Sequence, residues 1–421
     1  MRHFLAIVSF LIASSVHAEN WPQWRGPNCD GHSSEKGLPI SWSETKNIAW
    51  KLPLPGIGSS TPIIWNDRIF LTAAVNKDLV LLCISTDGKL LWTREVGKVV
   101  HKTIMKDEGN DASSTCSTDG KLVFAYFGSG DFACFDFEGK EIWKFDVQKR
   151  YGKFRIQHGM HITPLLHEDC LYMALLHDGG HWVIALDKKT GDEVWKAPRN
   201  TDAVGESRQA YTTPVLWKNG DELNLVVLGC DYVTGHSLKN GGELWRLGGL
   251  NPGGGNTANH RIISSPVAAG DQLIVPTCRG LHVVSVKQGI KGTVKPKSEF
   301  ELWRVPKGSP DVSSPLVENG LVFLPQERAA LVCLDAKTGA MLYNDTITSG
   351  RYRGSPVCID GKIYLIGRDS GVVTVVNATR EIEILGKNVI ADKFTASPAV
   401  SQGRIYLRGH KALYAVSEGG K

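Results

Sequence analysis

The feature that most constrains this chain is an internal repeat, because self-similarity at a period of about 20 to 50 residues is typical of stacked or ring-shaped folds. Most units open with two small residues, a proline and an apolar residue, a step that we call the anchor. The anchors are Ser60–Ile63, Ile162–Leu165, Thr212–Val215, Ser264–Val267, Ser313–Leu316, Gly354–Val357 and Ala396–Ala399, with an eighth, Ser113–Cys116, that lacks proline. In chain order they begin 53, 49, 50, 52, 49, 41 and 42 residues apart.

The rest of each unit predicts hairpins. The clearest copy runs from Ala185 to Trp195, with Asp187 and Thr190-Gly191 at a tight turn. Asp and Thr side chains supply turn hydrogen bonds, and Gly accepts a positive φ. A large aromatic residue recurs in the fourth strand. We expect its side chain to pack against the neighbouring blade rather than to bind a substrate. These aromatics are Trp50, Trp92, Trp143, Trp195, Trp245, Trp303 and Tyr343.

Eight units of four short strands predict an all-β fold, an eight-bladed β-propeller. The eighth unit stops at Leu413–Val416 without a fourth strand, whereas an unassigned strand lies at Asn47–Lys51. We expect this N-terminal strand to complete the last blade and close the ring, which leaves no open sheet edge. Residues 47–421 then form a single propeller domain. The basic, Gly-rich insertion Lys287–Ser298 is predicted to be a flexible loop in blade five.

The chain begins with the features of an export signal. A short basic start precedes the apolar run Phe4–Ala13, and small residues lead to a cleavage site after Ala18. The run is shorter than the roughly 20 residues of a spanning helix, and no Cys follows it to carry a lipid. We therefore predict a signal peptide at 1–18 and a soluble, monomeric, periplasmic or extracellular protein without a transmembrane segment. The extension 19–46 is either a plug across one face or a tail.

Composition excludes several classes of protein. The net charge is +5, from 48 Lys and Arg against 43 Asp and Glu, which is too mild to indicate a nucleic-acid partner. Nine Cys is an odd number, most lie in apolar stretches, and no C-x-x-C pair occurs. We therefore expect buried free thiols rather than a disulfide framework.

The turn-and-aromatic pattern resembles the tryptophan-docking motif of pyrroloquinoline quinone (PQQ) repeat propellers, within the quinoprotein alcohol dehydrogenase-like superfamily. Ala185–Trp195 matches it as A-x-D-x-x-T-G-x-x-x-W, and Cys333–Tyr343 is a near match. The opening Trp21–Asn28 resembles exported propellers of planctomycete type. The resemblance covers nearly all of the chain after residue 18. It implies the fold but not PQQ binding, because the docking residues serve blade packing.

That resemblance implies three functional groups, among which the fold does not choose. Some members are quinoprotein dehydrogenases, which oxidise alcohols or sugars with PQQ and calcium. Another is the lipid-anchored scaffold of outer-membrane assembly. Others are exported propellers without a known role.

The loops before the anchors are rich in His and Arg, and we expect them to converge at the axis as a funnel. The candidate funnel residues are His101, Asp111, Arg155, His158, His161, Arg208, Asn259, His260, Arg261, Asp311, Arg351 and Arg353. Arg binds oxyanions through paired donors, so this funnel suits carboxylate, phosphate or sulfate groups. The alternative is a solvated loop face whose residues satisfy one another.

We therefore interpret the chain as a non-catalytic binding or scaffold protein without a cofactor, whose ligand is a protein partner or an anionic small molecule or glycan. A PQQ-dependent oxidoreductase is the first alternative. It is disfavoured because calcium takes about six to eight oxygen ligands, the funnel is richer in Arg and His, and no adjacent Cys pair occurs.

A hydrolase or lyase of anionic polysaccharide is the third hypothesis, with His158, His161 or His260 moving a proton. No metal site is predicted. His158 and His161 are three residues apart and would point to opposite faces of a strand.

Overall fold

The computed structural model describes residues 19–101, 109–251 and 260–420. It contains eight small sheets arranged as the blades of a propeller, so the predicted all-β, eight-bladed fold is confirmed. Within the described ranges, helix is limited to α1 (Val147–Tyr151) and one 3-10 turn at Gly205–Arg208. None of these helices is long and apolar enough to cross a bilayer.

Two strands precede blade 1, namely β1 (His32–Ser33) and β2 (Ile48–Pro53). Blade 1 comprises β3 (Ile63–Trp65), β4 (Arg68–Val75), β5 (Asp78–Ser85) and β6 (Leu90–Lys98). Blade 2 comprises β7 (Ser117–Thr118), β8 (Leu122–Tyr126), β9 (Asp131–Asp136) and β10 (Glu141–Asp146). Blade 3 comprises β11 (Leu165–His167), β12 (Cys170–His177), β13 (Gly180–Asp187) and β14 (Glu193–Pro198). Blade 4 comprises β15 (Val215–Asn219), β16 (Glu222–Gly229), β17 (Tyr232–Ser237) and β18 (Glu243–Leu247).

Blade 5 comprises β19 (Val267–Ala269), β20 (Gln272–Pro276) and β21 (Val283–Lys287), then, after β22 (Gly292–Val294), β23 (Glu301–Val305). Blade 6 comprises β24 (Leu316–Glu318), β25 (Leu321–Pro325), β26 (Ala330–Asp335) and β27 (Met341–Thr346). Blade 7 comprises β28 (Val357–Ile359), β29 (Lys362–Ile366), β30 (Val372–Asn377) and β31 (Ile384–Val389). Blade 8 contains β32 (Ala399–Ser401), β33 (Arg404–Arg408) and β34 (Ala412–Val416).

The ring closes through the N-terminal strand, as predicted. Strand β2 pairs antiparallel with β34, with Trp50 opposite Ala415 and Lys51 opposite Tyr414. It therefore supplies the fourth strand of blade 8. Because the two ends of the propeller lie in one sheet, the ring has no free edge at which it could open.

The core lies between neighbouring blades. One apolar cluster joins Phe70 and Leu81 of blade 1 to Val123 and Ala133 of blade 2. The nine cysteines are all free, and seven of them are buried. They act as small apolar residues in these interfaces.

The predicted docking aromatics lie in the fourth strands. Five indoles donate Nε1–H to a backbone carbonyl of the following blade: Trp50 to Thr86 at 2.8 Å, Trp92 to Phe137 at 2.9 Å, Trp143 to Lys188 at 3.0 Å, Trp195 to Leu238 at 2.9 Å and Trp303 to Ala336 at 2.8 Å. Trp245 instead donates to Asn224 Oδ1 in its own blade at 2.8 Å. Tyr343 is buried against blade 7.

The insertion Lys287–Ser298 is not the flexible loop that we predicted. Its middle forms β22, which pairs in parallel with β18 and gives blade 4 a fifth strand. Ile290 is fully buried beside it. The outer edge of blade 4 would otherwise expose unpaired backbone groups, and the insertion covers that edge.

The extension before β2 crosses the central channel. Trp21 exchanges backbone hydrogen bonds of 2.8 and 2.9 Å with Ile64 of blade 1. Gln23 accepts from the Leu166 backbone N–H of blade 3 at 3.2 Å, and β1 pairs with β28 of blade 7. Blades 3 and 7 face each other across the ring, so a segment that contacts the inner strands of both lies across the axis. These are the contacts of a plug rather than a tail. The predicted signal peptide, 1–18, lies outside the described residues.

Candidate functional site

A cavity of about 530 Å³ lies on the propeller axis, and we call it the funnel cavity. Its floor includes Trp24 from the extension, and its wall is formed by Ser and Thr residues of the anchors. The charged and aromatic residues around its mouth are His158, His161, Tyr211, Arg261, Arg279, Asp311, Glu327, Arg351 and Arg353. The plug closes the end of the channel opposite this mouth.

The wall is a belt of hydroxyl groups that explains the small residues of the anchors. The second anchor residue of one blade donates its backbone N–H to the hydroxyl oxygen of the equivalent residue in the next blade. In blade 2 that position is held by Thr115, the third residue of the predicted anchor Ser113–Cys116, so the structure shifts this anchor by one residue. Six such bonds are present: Thr61 to Thr115 at 2.9 Å, Thr115 to Thr163 at 3.2 Å, Thr213 to Ser265 at 2.9 Å, Ser265 to Ser314 at 3.0 Å, Ser314 to Ser355 at 2.9 Å and Ser355 to Ser397 at 2.9 Å. The anchor therefore both joins adjacent blades and lines the cavity with polar groups.

Guanidinium groups outnumber carboxylates among the residues that line the cavity. Four guanidinium groups line it, from Arg261, Arg279, Arg351 and Arg353, against the two carboxylates of Asp311 and Glu327. With neutral histidines, these charges give the lining residues a net charge of +2, which two carboxylates outside the lining offset. Arg353 contacts Glu327 directly and lies 3.9 Å from Asp311, while Arg279 lies 3.8 Å from Asp311.

Two of the guanidinium groups form ion pairs with carboxylates that do not line the cavity. Arg261 lies 3.4 Å from Glu206, and Arg351 lies 2.9 Å from Asp369. Part of the predicted funnel thus satisfies itself through ion pairs, which was the alternative interpretation of these loops. The pairs also hold the guanidinium groups in place at the mouth, so a ligand would not have to order them.

His161 faces the cavity beside a buried carboxylate. Asp111 is fully buried and accepts hydrogen bonds from the backbone N–H groups of Val100 at 2.8 Å and His101 at 3.0 Å. Its Oδ1 lies 2.6 Å from Nδ1 of His101 and 4.0 Å from Nε2 of His161. Burial raises the pKa of Asp111, but the hydrogen bonds from His101 and Val100 outweigh burial and hold that pKa below its usual value.

The pKa values of both cavity histidines are lowered. Burial lowers the pKa of His161 to about 4. Burial and then the charge of Arg261 lower the pKa of His158. Within the described residues, Nε2 of His161 is buried on the side of Asp111 and has no hydrogen-bond partner.

The structure brings together about half of the predicted funnel residues. His158, His161, Arg261, Asp311, Arg351 and Arg353 line the cavity. His101 and Asp111 lie behind its wall, next to His161. Arg208 lies in a separate outer groove, where it pairs with Asp178 at 3.4 Å. Arg155 and His260 are not among the cavity-lining residues, and Asn259 lies outside the described residues.

Arg279, Glu327 and Trp24 line the cavity but are not among the predicted funnel residues. Arg279 and Glu327 lie in the loops between the second and third strands of blades 5 and 6. These loops emerge on the same face as the anchors, so the repeat itself carried the signal that identifies them. Trp24 carried no such signal, because nothing in the sequence placed the extension inside the channel.

A comparison with protein-family models shows to which family this chain belongs. The family model described as outer membrane protein assembly factor BamB, a model of PQQ-type repeats, matches residues 77–299 and 287–383. The chain belongs to the PQQ-like β-propeller family. The match covers most of the propeller, as the docking motif predicted. No curated protein matches the chain.

Solved structures of this fold include BamB and dehydrogenases. BamB from Moraxella catarrhalis is 14% identical, with a TM-score of 0.61 over 88% of this chain and 99% of that chain. Quinohemoprotein alcohol dehydrogenase from Comamonas testosteroni is 12% identical, with a TM-score of 0.67 over 96% of this chain and 81% of that chain. A europium-containing methanol dehydrogenase is 11% identical, with a TM-score of 0.66 over 94% and 89%. At these identities the similarity establishes the fold alone.

Proposed function

We propose that this chain is an exported, non-catalytic binding propeller whose funnel cavity holds an anionic group of a small ligand, a glycan or a protein partner. The observation that carries the proposal is the convergence of four guanidinium groups around one cavity, on a wall of hydroxyl groups. Guanidinium and hydroxyl groups are donors suited to carboxylate, phosphate and sulfate oxygens.

The size of the cavity supports a compact ligand. Its volume of about 530 Å³ falls in the range of about 300 to 1,000 Å³ that is typical of small-molecule sites. Trp24 adds an apolar surface at the floor, opposite the charged mouth. A sugar acid, a sugar phosphate or the acidic end of a peptide has the corresponding combination of a charged group and an apolar face.

The donor set argues against the first alternative, a calcium-dependent PQQ enzyme. The two carboxylates in the described lining, Asp311 and Glu327, both lie within ion-pair distance of Arg353. Calcium takes about six to eight oxygen ligands, and these two oxygen donors are engaged by guanidinium groups. The described residues therefore do not fit a calcium-bound quinone.

The third hypothesis is a hydrolase or lyase that uses histidine. His158 and His161 face the cavity, but His260 does not line it. A general acid or base works best with a pKa near the working pH. The pKa of His161, about 4, is far below neutrality, so this residue is not suited to donate a proton there.

Ligand-dependent thermal unfolding tests the proposal. Glucuronate, glucose 6-phosphate and glucose 6-sulfate would be compared with neutral methyl glucoside at constant ionic strength. A ligand at a hundredfold excess over its Kd stabilises the folded state by about 2.7 kcal/mol. We expect at least one anionic sugar to raise the unfolding midpoint, and methyl glucoside to leave it unchanged.

Matched variants locate the binding. Arg279→Gln removes a guanidinium group of the cavity that pairs with Asp311, and Arg208→Gln removes one of the outer groove that pairs with Asp178. We expect the stabilisation to weaken in the first variant and to persist in the second. Equal stabilisation by charged and neutral sugars, or none by any, would contradict an anion-binding cavity for small ligands.

A further inference from the structure

A second group of chemically reactive side chains lies at the other end of the inner strands. Strand β24 begins close to Ser314 in the cavity wall and ends at Glu318, on the side where the plug enters. There β1 of the plug pairs with β28 so that His32 is directly opposite Cys358. His32 Nε2 lies 3.0 Å from Glu318 Oε2.

The three side chains offer one imidazole, one thiol and one carboxylate to a common point. Their ligand atoms all lie within 4.8 Å of one another, and among the described residues this is the only such group of three His, Cys, Asp or Glu. In a tetrahedral zinc site, Zn–S, Zn–N and Zn–O bonds of about 2.0 to 2.3 Å place neighbouring ligand atoms about 3.5 Å apart. The longest separation allowed here, 4.8 Å, exceeds that spacing by about 1.3 Å.

We propose that His32, Glu318 and Cys358 form a site for zinc or a similar thiolate-binding divalent metal ion. Asp30 is placed to support this assignment. Its Oδ1 accepts the His32 backbone N–H at 2.9 Å and lies 3.4 Å from Nδ1 of His32, the ring nitrogen that faces away from Glu318 and has no hydrogen-bond partner among the described residues. Metal-binding histidines almost always present their second nitrogen to a carboxylate or carbonyl oxygen, which fixes the ring.

The site is open on one side. Cys358 is buried, whereas the side chains of His32 and Glu318 are 28% and 25% exposed. Three protein ligands with solvent access leave a fourth position for water. The metal ion would bind the plug through His32, blade 6 through Glu318 and blade 7 through Cys358. It would thus clamp the segment that carries Trp24 into the base of the funnel cavity.

Cobalt titration tests this proposal directly. The mature chain would be purified without a histidine tag, reduced, stripped with a chelator and titrated with Co²⁺. A Cys-ligated, four-coordinate Co²⁺ ion shows a sulfur-to-cobalt charge-transfer band and intense visible d–d bands. We expect one equivalent of Co²⁺ to produce both, and one equivalent of Zn²⁺ to abolish them by displacement.

Four variants identify the ligands. Cys358→Ser is expected to abolish the charge-transfer band, while Cys170→Ser, which removes another free thiol outside the cluster, is expected to retain it. His32→Ala tests the site at a partly exposed position should Cys358→Ser fail to fold. Asp30→Asn is expected to weaken metal affinity by about ten- to a hundredfold.

The outcomes are distinct. Loss of the band in Cys358→Ser and His32→Ala, with an unchanged Cys170→Ser, establishes the site. A band that survives both changes, or binding without any thiolate band, overturns the proposal. Neither result depends on whether the funnel cavity binds an anion.

Discussion

Gly241 lies directly beneath the indole of Trp195, so closely that a Cβ on the glycine would be 2.5 Å from Trp195 Cε3. The glycine closes the turn of blade 4, and the tryptophan comes from the last strand of blade 3. The same contact occurs between Gly191 and Trp143, where the Cβ distance would be 2.8 Å. The turn glycine of one blade and the aromatic of the preceding blade therefore form one contact between blades.

Replacing Gly241 with Ala is expected to destabilise the protein through two effects. Its φ of +72° is strained for alanine, which costs about 1 kcal/mol, and the clash with Trp195 adds about 1 to 3 kcal/mol of overpacking. Gly220→Ala is the matched control, because Gly220 has a φ of +69° and nothing within 4 Å of its Cβ position. Chemical denaturation of both variants would measure the difference. Equal losses would show that the contact with Trp195 carries no energy.

The hydroxyl belt predicts a specific sensitivity at Ser314. Ser314→Ala leaves the buried backbone N–H of Ser265 without its acceptor, which is now 3.0 Å away. An unsatisfied buried donor costs about 1 to 3 kcal/mol. Ser314→Thr keeps a hydroxyl, as Thr61 and Thr115 do at the same repeat position, and is expected to unfold close to the wild-type midpoint. Unfolding of the alanine variant at the wild-type midpoint would contradict a structural role for the belt.

Stability is expected to fall as the pH is lowered from about 6.5 towards 4. Burial lowers the pKa of His177 and of His236 to about 4, so both stay neutral in the folded state while the unfolded chain, with histidine pKa values of about 6.5, takes up protons. Each contributes a slope of up to about 1.4 kcal/mol per pH unit in that window. His177→Asn keeps an acceptor for the Gly179 N–H and should make the slope shallower. An unchanged slope would show that His177 does not titrate as described.

Trp21 and Trp24 have separate roles in the plug. Trp21 is fully buried against blade 1, so Trp21→Ala is expected to cost about 3 to 5 kcal/mol. Trp24 lines the funnel cavity, so Trp24→Ala is expected to affect ligand binding more than stability. Denaturation together with the sugar titration would separate the two roles. If Trp24→Ala bound ligands like the wild type, Trp24 would not be the floor of the binding site.

The repeat made the fold predictable because each anchor and aromatic performs the same physical task in each blade. The closing strand around Trp50 was equally predictable, since a missing strand at one end matched a surplus strand at the other. Strand β22 was not, because its sequence is polar and Gly-rich and its pairing depends on the exposed edge of blade 4.

Residues of the two sites could be predicted only where they occupy equivalent positions in the repeat. His158 and Arg261 were found because they precede anchors, while Trp24 was missed because its position depends on where the plug docks. His32, Glu318 and Cys358 are far apart in the sequence, and only the pairing of β1 with β28 brings them together. No spacing rule for metal ligands would have identified them.

The most direct test of the binding function uses PQQ as a probe, because it carries three carboxylates. Thermal unfolding would be measured with PQQ in the presence of calcium and in the presence of a calcium chelator, beside a dye-reduction assay with alcohols and sugars. We expect that any stabilisation by PQQ is the same with and without calcium, that Arg279→Gln weakens it, and that no dye is reduced. Stabilisation that requires calcium, together with dye reduction, would contradict a non-catalytic binding function and establish a quinoprotein dehydrogenase.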